Sequence, residues 1–266
     1  MKAANLIILF VMLASAAFCQ SEIKPIPKVS HAEPIYFDLI RDLGARRGEK
    51  ELNVGMGMAR FDNYSIHSYL VEYEFAPVNR LGMELEVPLV FHNAANTEVN
   101  AHHGDDGLEG IKAAVQYSFY VSEKYQTTLA VGYIFETRRK GFDLFHQTGS
   151  IHNPFFIVAK KWSSQFHSLL YTGPSYEYDR ETGQTTTALL LNTSVHYVLP
   201  GKKNFIGMEL NQEIHDHHVE TMIRPQVKMI LSKQTALGLA LGIPAGDNER
   251  TLDFLVRLIY EPRKKN

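Results

Sequence analysis

Residues 127–136, TTLAVGYIFE, decide the fold class. The odd positions Thr127, Leu129, Val131, Tyr133 and Phe135 are mainly apolar or aromatic, and the even positions Thr128, Ala130, Gly132, Ile134 and Glu136 are smaller or polar. A period of two places these sets on opposite faces of a β-strand in two different environments. The same alternation recurs from residue 49 to residue 262 and predicts about twelve strands. Short connections at 77–79, 122–124, 163–164, 200–203 and 232–233 alternate with longer or more polar ones at 93–107, 139–150, 179–183 and 246–250, with tighter members at 60–63 and 217–219. Short turns at one end and long loops at the other are the asymmetry of an outer-membrane barrel.

A soluble sandwich also has one apolar face, so alternation needs support from other features. The strands run to about 10–14 residues, enough to cross a bilayer at a tilt and longer than most soluble strands. Their apolar faces carry almost no charge, as in Leu81, Met83, Leu85, Val87, Leu89 and Phe91. Aromatic residues gather near the short-turn ends: Tyr73, Phe75, Phe119, Trp162, Tyr197, Phe205 and Tyr260. They suit an interfacial girdle. The expected fold is all-β: a transmembrane antiparallel up-and-down β-barrel of about twelve strands, with a short N-terminal helix. Pro88, Pro154, Pro174, Pro225 and Pro244 fall inside these strands, and the ladder is expected to end or bulge at each, at the outer rim.

Residues 1–20 read as a secretory signal, with Lys2, an apolar core at 6–13 and small residues from Ala14. The single cysteine, Cys19, lies within it, which excludes a disulfide framework. Residues 21–48 read as a periplasmic leader followed by an amphipathic helix at 34–44, where Ile35, Leu39, Ile40 and Leu43 share one side and Gly44 caps the end. Such a helix would pack against the small-residue wall of Gly55, Gly57, Ala59, Ala236, Gly238, Ala240 and Gly242 and occlude part of the lumen. Residues 49–266 form the barrel. An even strand count leaves both termini on the periplasmic side.

Lys+Arg 27 against Asp+Glu 29 is nearly neutral and contains no basic run, which argues against a nucleic-acid partner. The partners implied are outer-membrane lipid and a small polar solute. On the polar face, lumen-lining candidates are Glu72, Glu74, Glu84, Glu86, Lys112, Glu209, Glu213, Arg224, Lys228 and Arg257. One register of the hairpin spanning 204–232 pairs Glu209 with Lys228 and Glu213 with Arg224. These charges read as a bracing ladder or as a wetted pore whose opposed walls orient a solute.

Loop histidines His102, His103, His215, His217 and His218 lie beside Asp105, Asp106 and Asp216, but their spacing matches no structural zinc site. No cofactor motif is present: there is no phosphate loop, dinucleotide fingerprint or nucleophile elbow. Outer-membrane phospholipases and proteases place their chemistry near the outer rim, where His146, Ser150, His152 and Ser168 would be this chain's candidates. No enzyme is expected. The leading function is a channel or transporter for small polar solutes. A closed structural or adhesive surface barrel is the alternative, and an outer-membrane hydrolase the lesser one.

HAEPIYFDLIRDLGARRGEKELNVGMG at 31–57, YEFAPVNRLGMELEVPL, NPFFIVAKKW, LLYTGP, LPGKKNFIGMELN and FLVRLIYEP together resemble a family of Gram-negative outer-membrane β-barrel proteins. The resemblance covers nearly all of the chain after the signal. It implies a transporter- or porin-like barrel with no catalytic residues to carry over. The chain departs from many such barrels by continuing past Tyr260 with EPRKKN instead of ending on an aromatic residue.

Overall fold

The computed structural model describes residues 26–37, 39–94, 106–139, 141–142, 147–201, 203–246 and 250–262. The signal at 1–20 lies outside them. The strands are β1 (Lys50–Arg60), β2 (Tyr64–Val78), β3 (Leu81–Ala94), β4 (Gly107–Leu108), β5 (Gly110–Ser122), β6 (Thr127–Arg139), β7 (Gln147–Lys161), β8 (Phe166–Asp179), β9 (Thr185–Val198), β10 (Phe205–Ile214), β11 (Val219–Ile230), β12 (Thr235–Pro244) and β13 (Leu252–Tyr260). Each long strand pairs antiparallel with its chain neighbours, and β1 pairs with both β2 and β13. The sheet therefore closes into a twelve-strand barrel, with the two-residue β4 lying against β3. Closure removes both sheet edges. Leu52 pairs with Tyr260, so the barrel begins and ends at its short-turn end.

The two faces separate as the alternation requires. Val71, Leu85 and Ile206 are 51–53% exposed on the outside, whereas Glu72, Glu84 and Glu209 are 0–2% exposed on the inside. An apolar exterior around an interior that holds the buried charge is the inverse of a soluble protein and matches a barrel that lies in lipid. The inner face of β6–β8 is mainly apolar, with Ala130, Phe155, Ile157 and Leu169 in one cluster with Phe37, Leu39, Ile40 and Leu43. Tyr73, Phe119, Trp162 and Tyr260 are exposed near the short-turn end. Phe205 departs from the expected girdle: it points inward and meets His196 at 4.6 Å between ring centroids. β10 begins at Phe205 with that residue on its inner face.

The prolines do break the ladder, but several residues short of the strand ends. β7 and β8 lose their bridges between His152–Tyr176 and Phe156–Thr172, around Pro154 and Pro174, where Asn153 Nδ2 donates to the Pro174 carbonyl at 2.8 Å. β11 and β12 part between Ile223–Ile243 and Gln226–Ala240, beside Pro225. β3 leaves β5 at Glu86–Lys112, and beyond Pro88 its partner is β4. Pro244 ends β12. Each proline lacks one donor, so the break is local and pairing resumes beyond it.

The expected helix at 34–44 is not formed: among its described residues the chain runs through bends and one turn. The segment enters the barrel at the short-turn end, rises to mid-height around Tyr36–Ile40 and returns to join β1. Ile35, Leu39, Ile40 and Leu43 are each at most 3% exposed. The helical ladder loses here because barrel side chains take the segment's backbone donors. Arg41, at φ 65, also adopts a conformation no helix contains. Packing on the small-residue wall is realised on β12: a Cβ on Gly238 would lie 2.8 Å from Ile35 Cδ1, and Ala240 joins Ala32 and Ile35 in one buried cluster. Gly55 and Gly57 instead make room for Leu70 and Ser68 of the neighbouring strand.

Gly82 is the tightest meeting of barrel and segment, since a Cβ there would collide with the Ile40 carbonyl oxygen. Backbone cannot yield as a side-chain tip can, so Gly82→Ala is expected to destabilise the folded barrel by roughly 1–3 kcal/mol. Comparing the temperatures at which wild type and G82A lose heat-modifiable migration on a gel measures it; equal temperatures would contradict the close fit.

Candidate functional site: the occluded lumen

The segment is fastened from three sides. On β10, Glu209 is fully buried, and its carboxylate accepts the backbone N–H groups of Ile35 (2.9 Å), Tyr36 (3.0 Å) and Phe37 (3.3 Å). Gln226 Oε1 on β11 shares the Ile35 donor at 2.7 Å. On β8, His167 Nδ1 accepts from Ala32 N at 2.7 Å, while His31 Nε2 lies 3.0 Å from Thr128 Oγ1 on β6. On β5, Ser118 Oγ accepts from Gly44 N at 2.8 Å, and Gln116 Nε2 donates to the Arg41 carbonyl at 3.1 Å.

Charges complete the attachment. Arg41 is 2% exposed and pairs with Glu51 at 2.5 Å and Glu74 at 3.4 Å, and also with Asp42. Asp42 and Glu49 both bind Lys28, at 2.9 and 3.0 Å. Arg224 lies flat over the Tyr36 ring, 3.3 Å from its centroid, and is held there by Asp253 (2.6 Å) and Asn211 (2.5 Å). Gly242 leaves the space through which Asp253 reaches it. A guanidinium stacked on an aromatic face and forked to a carboxylate is the arrangement lysine cannot reproduce.

The structure places Glu72, Glu74, Glu84, Glu86, Lys112, Glu209, Arg224, Lys228 and Arg257 on the inner face, most of them deeply buried. Glu213 sits inside the long-loop end with its side chain 47% exposed, 3.3 Å from His215. The expected ion pairing across β10 and β11 is not the one formed. The register pairs Phe205 with Lys228, Glu209 with Arg224 and Glu213 with Glu220. A turn with only Asp216 and His217 at its tip, closed by His215 N to His218 O at 2.9 Å, fixes that register. Lys112 joins Glu84 (3.0 Å) and Glu86 (2.6 Å), and Arg257 approaches Glu72 at 4.0 Å.

Glu72, Glu74 and Glu84 present oxygens within 4.8 Å of one another. Asn53 Nδ2 bridges Glu72 and Glu74 at 2.6 and 2.9 Å, and Arg41, Lys112 and Arg257 supply the compensating charge. That arrangement is a buried ion network whose parts depend on one another. Of the loop histidines, His215 and His218 stack at 4.4 Å and share a neighbourhood with Glu220; His217 is exposed, and His102 and His103 lie outside the described residues. Ser168 Oγ accepts from Trp162 Nε1 at 2.9 Å, and His146 is outside the described residues.

Two cavities flank the segment. The one at the short-turn end holds about 440 Å³ among Lys28, His31, Glu33, His167, Lys228 and Glu261. The one at the long-loop end holds about 510 Å³ above Tyr36, Phe37 and Ile40, between Glu86, Lys112, Glu136 and Arg257. Sequence reasoning missed Glu51, Asn53, Gln116, Ser118, His167, Gln226 and Asp253. Their signal was position: polar residues on the inner parity of their strands.

Losing the Glu209 carboxylate strips an acceptor from three buried N–H groups. Glu209→Ala is expected to weaken docking by about 2–4 kcal/mol, given the cost of unpaired buried donors. A cysteine placed at Leu39, in a Cys19→Ser background, should then react with a water-soluble maleimide at least tenfold faster than with Glu209 intact. Unchanged labelling would contradict the assignment.

His31 carries a pH dependence of defined sign. Burial first, then the nearby His167 and Lys161, lower its pKa to about 3. The docked state therefore binds fewer protons than the released one, and His31's contribution, present above about 6.5, is lost as pH falls toward 3. Glu33, in the same cavity, is held above the ordinary carboxylate range by burial and by Asp42, so it acts in the opposite sense. Asp42 is held below that range: burial raises it, but Arg41 and Lys28 outweigh burial. Comparison with His31→Gln isolates the histidine. Between pH 7 and 4.5, labelling at Leu39→Cys should rise more steeply in the parent than in the His31→Gln variant, and parallel profiles would remove His31 from the balance.

A family model described as HAEPLYID-like matches residues 27–261. The letters of that description agree with His31, Ala32, Glu33, Pro34, Tyr36 and Asp38 and differ at Ile35 and Phe37, so they fall on the segment inside the barrel. Comparison with curated proteins yields no match. Among solved structures, the chain is similar to the COG4313 outer membrane channel from Pseudomonas putida F1, with TM-score 0.64 and 10% identity over 91% of this chain and 100% of that one. It is also similar to the KdgM porin, with TM-score 0.54 and 12% identity over 79% of this chain and 99% of that one. At these identities the likeness establishes the outer-membrane barrel fold. The family match spans most of the chain, and the protein belongs to the HAEPLYID-like family.

Proposed function

We propose that this protein is an outer-membrane channel for small polar solutes whose lumen is closed by its own N-terminal segment and conducts when that segment withdraws. The observation that carries the reading is the pair of cavities in one lumen, about 440 and 510 Å³, on either side of the N-terminal segment and the barrel side chains that hold it. Both cavities combine charged and amide groups with apolar side chains such as Leu43 and Phe205 in one and Phe37 and Leu190 in the other, and the charged groups suit hydroxylated or charged solutes. The KdgM porin, a structural relative, has been solved in complex with oligogalacturonate, a polar solute. Residues 1–20 direct export, residues 21–25 precede the plug, and both chain termini lie on the periplasmic side in this reading.

Withdrawal also sets selectivity. Glu51, Glu72, Glu74, Glu84 and Glu86 face Arg41, Lys112 and Arg257 in the closed state. Removing Arg41 leaves five carboxylates against two cations, so the open pore favours cations. The second reading is a closed structural barrel, and what favours it is the number of buried hydrogen bonds fixing the segment.

Planar-bilayer recording separates them. Wild type is expected to stay closed most of the time, while Glu209→Ala and a deletion of residues 29–43 give stepwise, cation-preferring conductance. Silence from folded wild type and from both variants would leave the structural barrel.

A further inference from the structure

Ser150 and His152 occupy alternate positions of β7 on its outward face, where the His152 ring packs on Phe135 at 5.2 Å and Tyr133 at 6.2 Å. Ser150 Oγ lies 3.1 Å from His152 Nε2, and His152 Nδ1 lies 2.6 Å from the Tyr133 hydroxyl. A serine becomes a nucleophile when a base lies within hydrogen-bond reach and a third group orients that base. With Nδ1–H donating to the Tyr133 oxygen, Nε2 presents its lone pair to the Ser150 hydroxyl.

The surroundings indicate what could reach this serine. Register sets Ser150 between Thr137 and Tyr178, and His152 between Phe135 and Tyr176. Tyr133, Tyr176 and Tyr178 are all exposed on the outer surface near the long-loop end, where an aromatic belt meets lipid headgroups. Beside them a pocket of about 210 Å³ is lined by Arg138, Arg139, Thr148, Gly149, Glu177 and Tyr178. That pocket includes neither Ser150 nor His152, and its Gly149 and Glu177 share the inner parity of their strands, opposite the serine; Ser150 itself is 9% exposed.

We propose that Ser150, His152 and Tyr133 form a lipid-facing acyl-ester hydrolase site that acts on glycerolipid esters at the outer surface. Ser150 Oγ attacks the ester carbonyl carbon as its proton passes to His152 Nε2. The bond from that carbon to the glycerol oxygen breaks, and the histidine proton goes to the departing alcohol. Water then attacks the acyl-serine, giving a proton to His152. The bond to Ser150 breaks, its oxygen recovers that proton, and a free fatty acid leaves. Ser150 and His152 are the catalytic residues; Tyr133, which touches only the histidine, is a positioning residue.

The test uses full-length protein folded in mixed micelles. A fluorophosphonate probe should label wild type and not Ser150→Ala, and fatty-acid release from dioctanoyl phosphatidylcholine should fall at least 100-fold in Ser150→Ala and His152→Ala. Tyr133→Phe should lower kcat and shift the pH profile of kcat with KM little changed. Ser150 lies outside the lumen, so S150A should keep heat-modifiable migration and the conductance behaviour of wild type. That keeps failure here distinct from failure of the channel. Absence of labelling and of release above the S150A level, in protein that shows heat-modifiable migration, overturns the proposal.

Discussion

One carboxylate buried in the middle of a barrel governs how this chain is arranged. Glu209 is stabilised by three consecutive backbone N–H groups from a segment more than 170 residues away in sequence, with Asn211 Nδ2 at 3.2 Å and the charge of Arg224 on the neighbouring strand adding to them. Neither side is satisfied alone. The carboxylate needs donors, and the segment, once it gives up a helix, needs acceptors. Their union fixes the height at which the segment crosses the lumen. Tyr36 then lies under Arg224, and Arg41 falls among Glu51, Glu74 and Asp42.

That interdependence explains why so much charge can be buried here. An isolated buried carboxylate is strongly unfavourable, and the acidic wall on β1, β2 and β3 would be so without Arg41, Lys112 and Arg257. Two of those cations belong to the barrel and one to the segment. Positive charge from the segment therefore completes the wall, and Arg41 supplies it. Outside, the strands show a mainly apolar surface, and on β7 a serine and a histidine are joined there through a hydrogen bond.

Much of the fold was legible because a strand declares its two faces locally. Leu85 and Glu86 differ in character, and that difference alone assigns one to lipid and the other to the lumen. Turn residues marked strand ends to within a few positions, except at the start of β7, which reaches back to Gln147. The lining charges were legible for the same reason, but their partners were not. A turn placed two residues earlier, with Asp216 and His217 at its tip, moved Glu209 from Lys228 to Arg224, and the sequence pattern of β10 and β11 accommodates both registers. Phe205 was misread because an aromatic residue near a turn suits the lipid interface and a packed interior equally well.

The sequence by itself determined the closed twelve-strand architecture, the inner and outer faces, and the residues that charge the lumen, because alternation and turn chemistry act over a few neighbouring residues. Only the tertiary structure decided the fate of residues 31–44. Their apolar spacing is that of a helix, yet Glu209, Gln226, His167 and Ser118 offer acceptors that an isolated segment never meets. Competition between a local ladder and distant side chains is settled by which set of hydrogen bonds the closed barrel can bury complete, and that is a property of the whole chain.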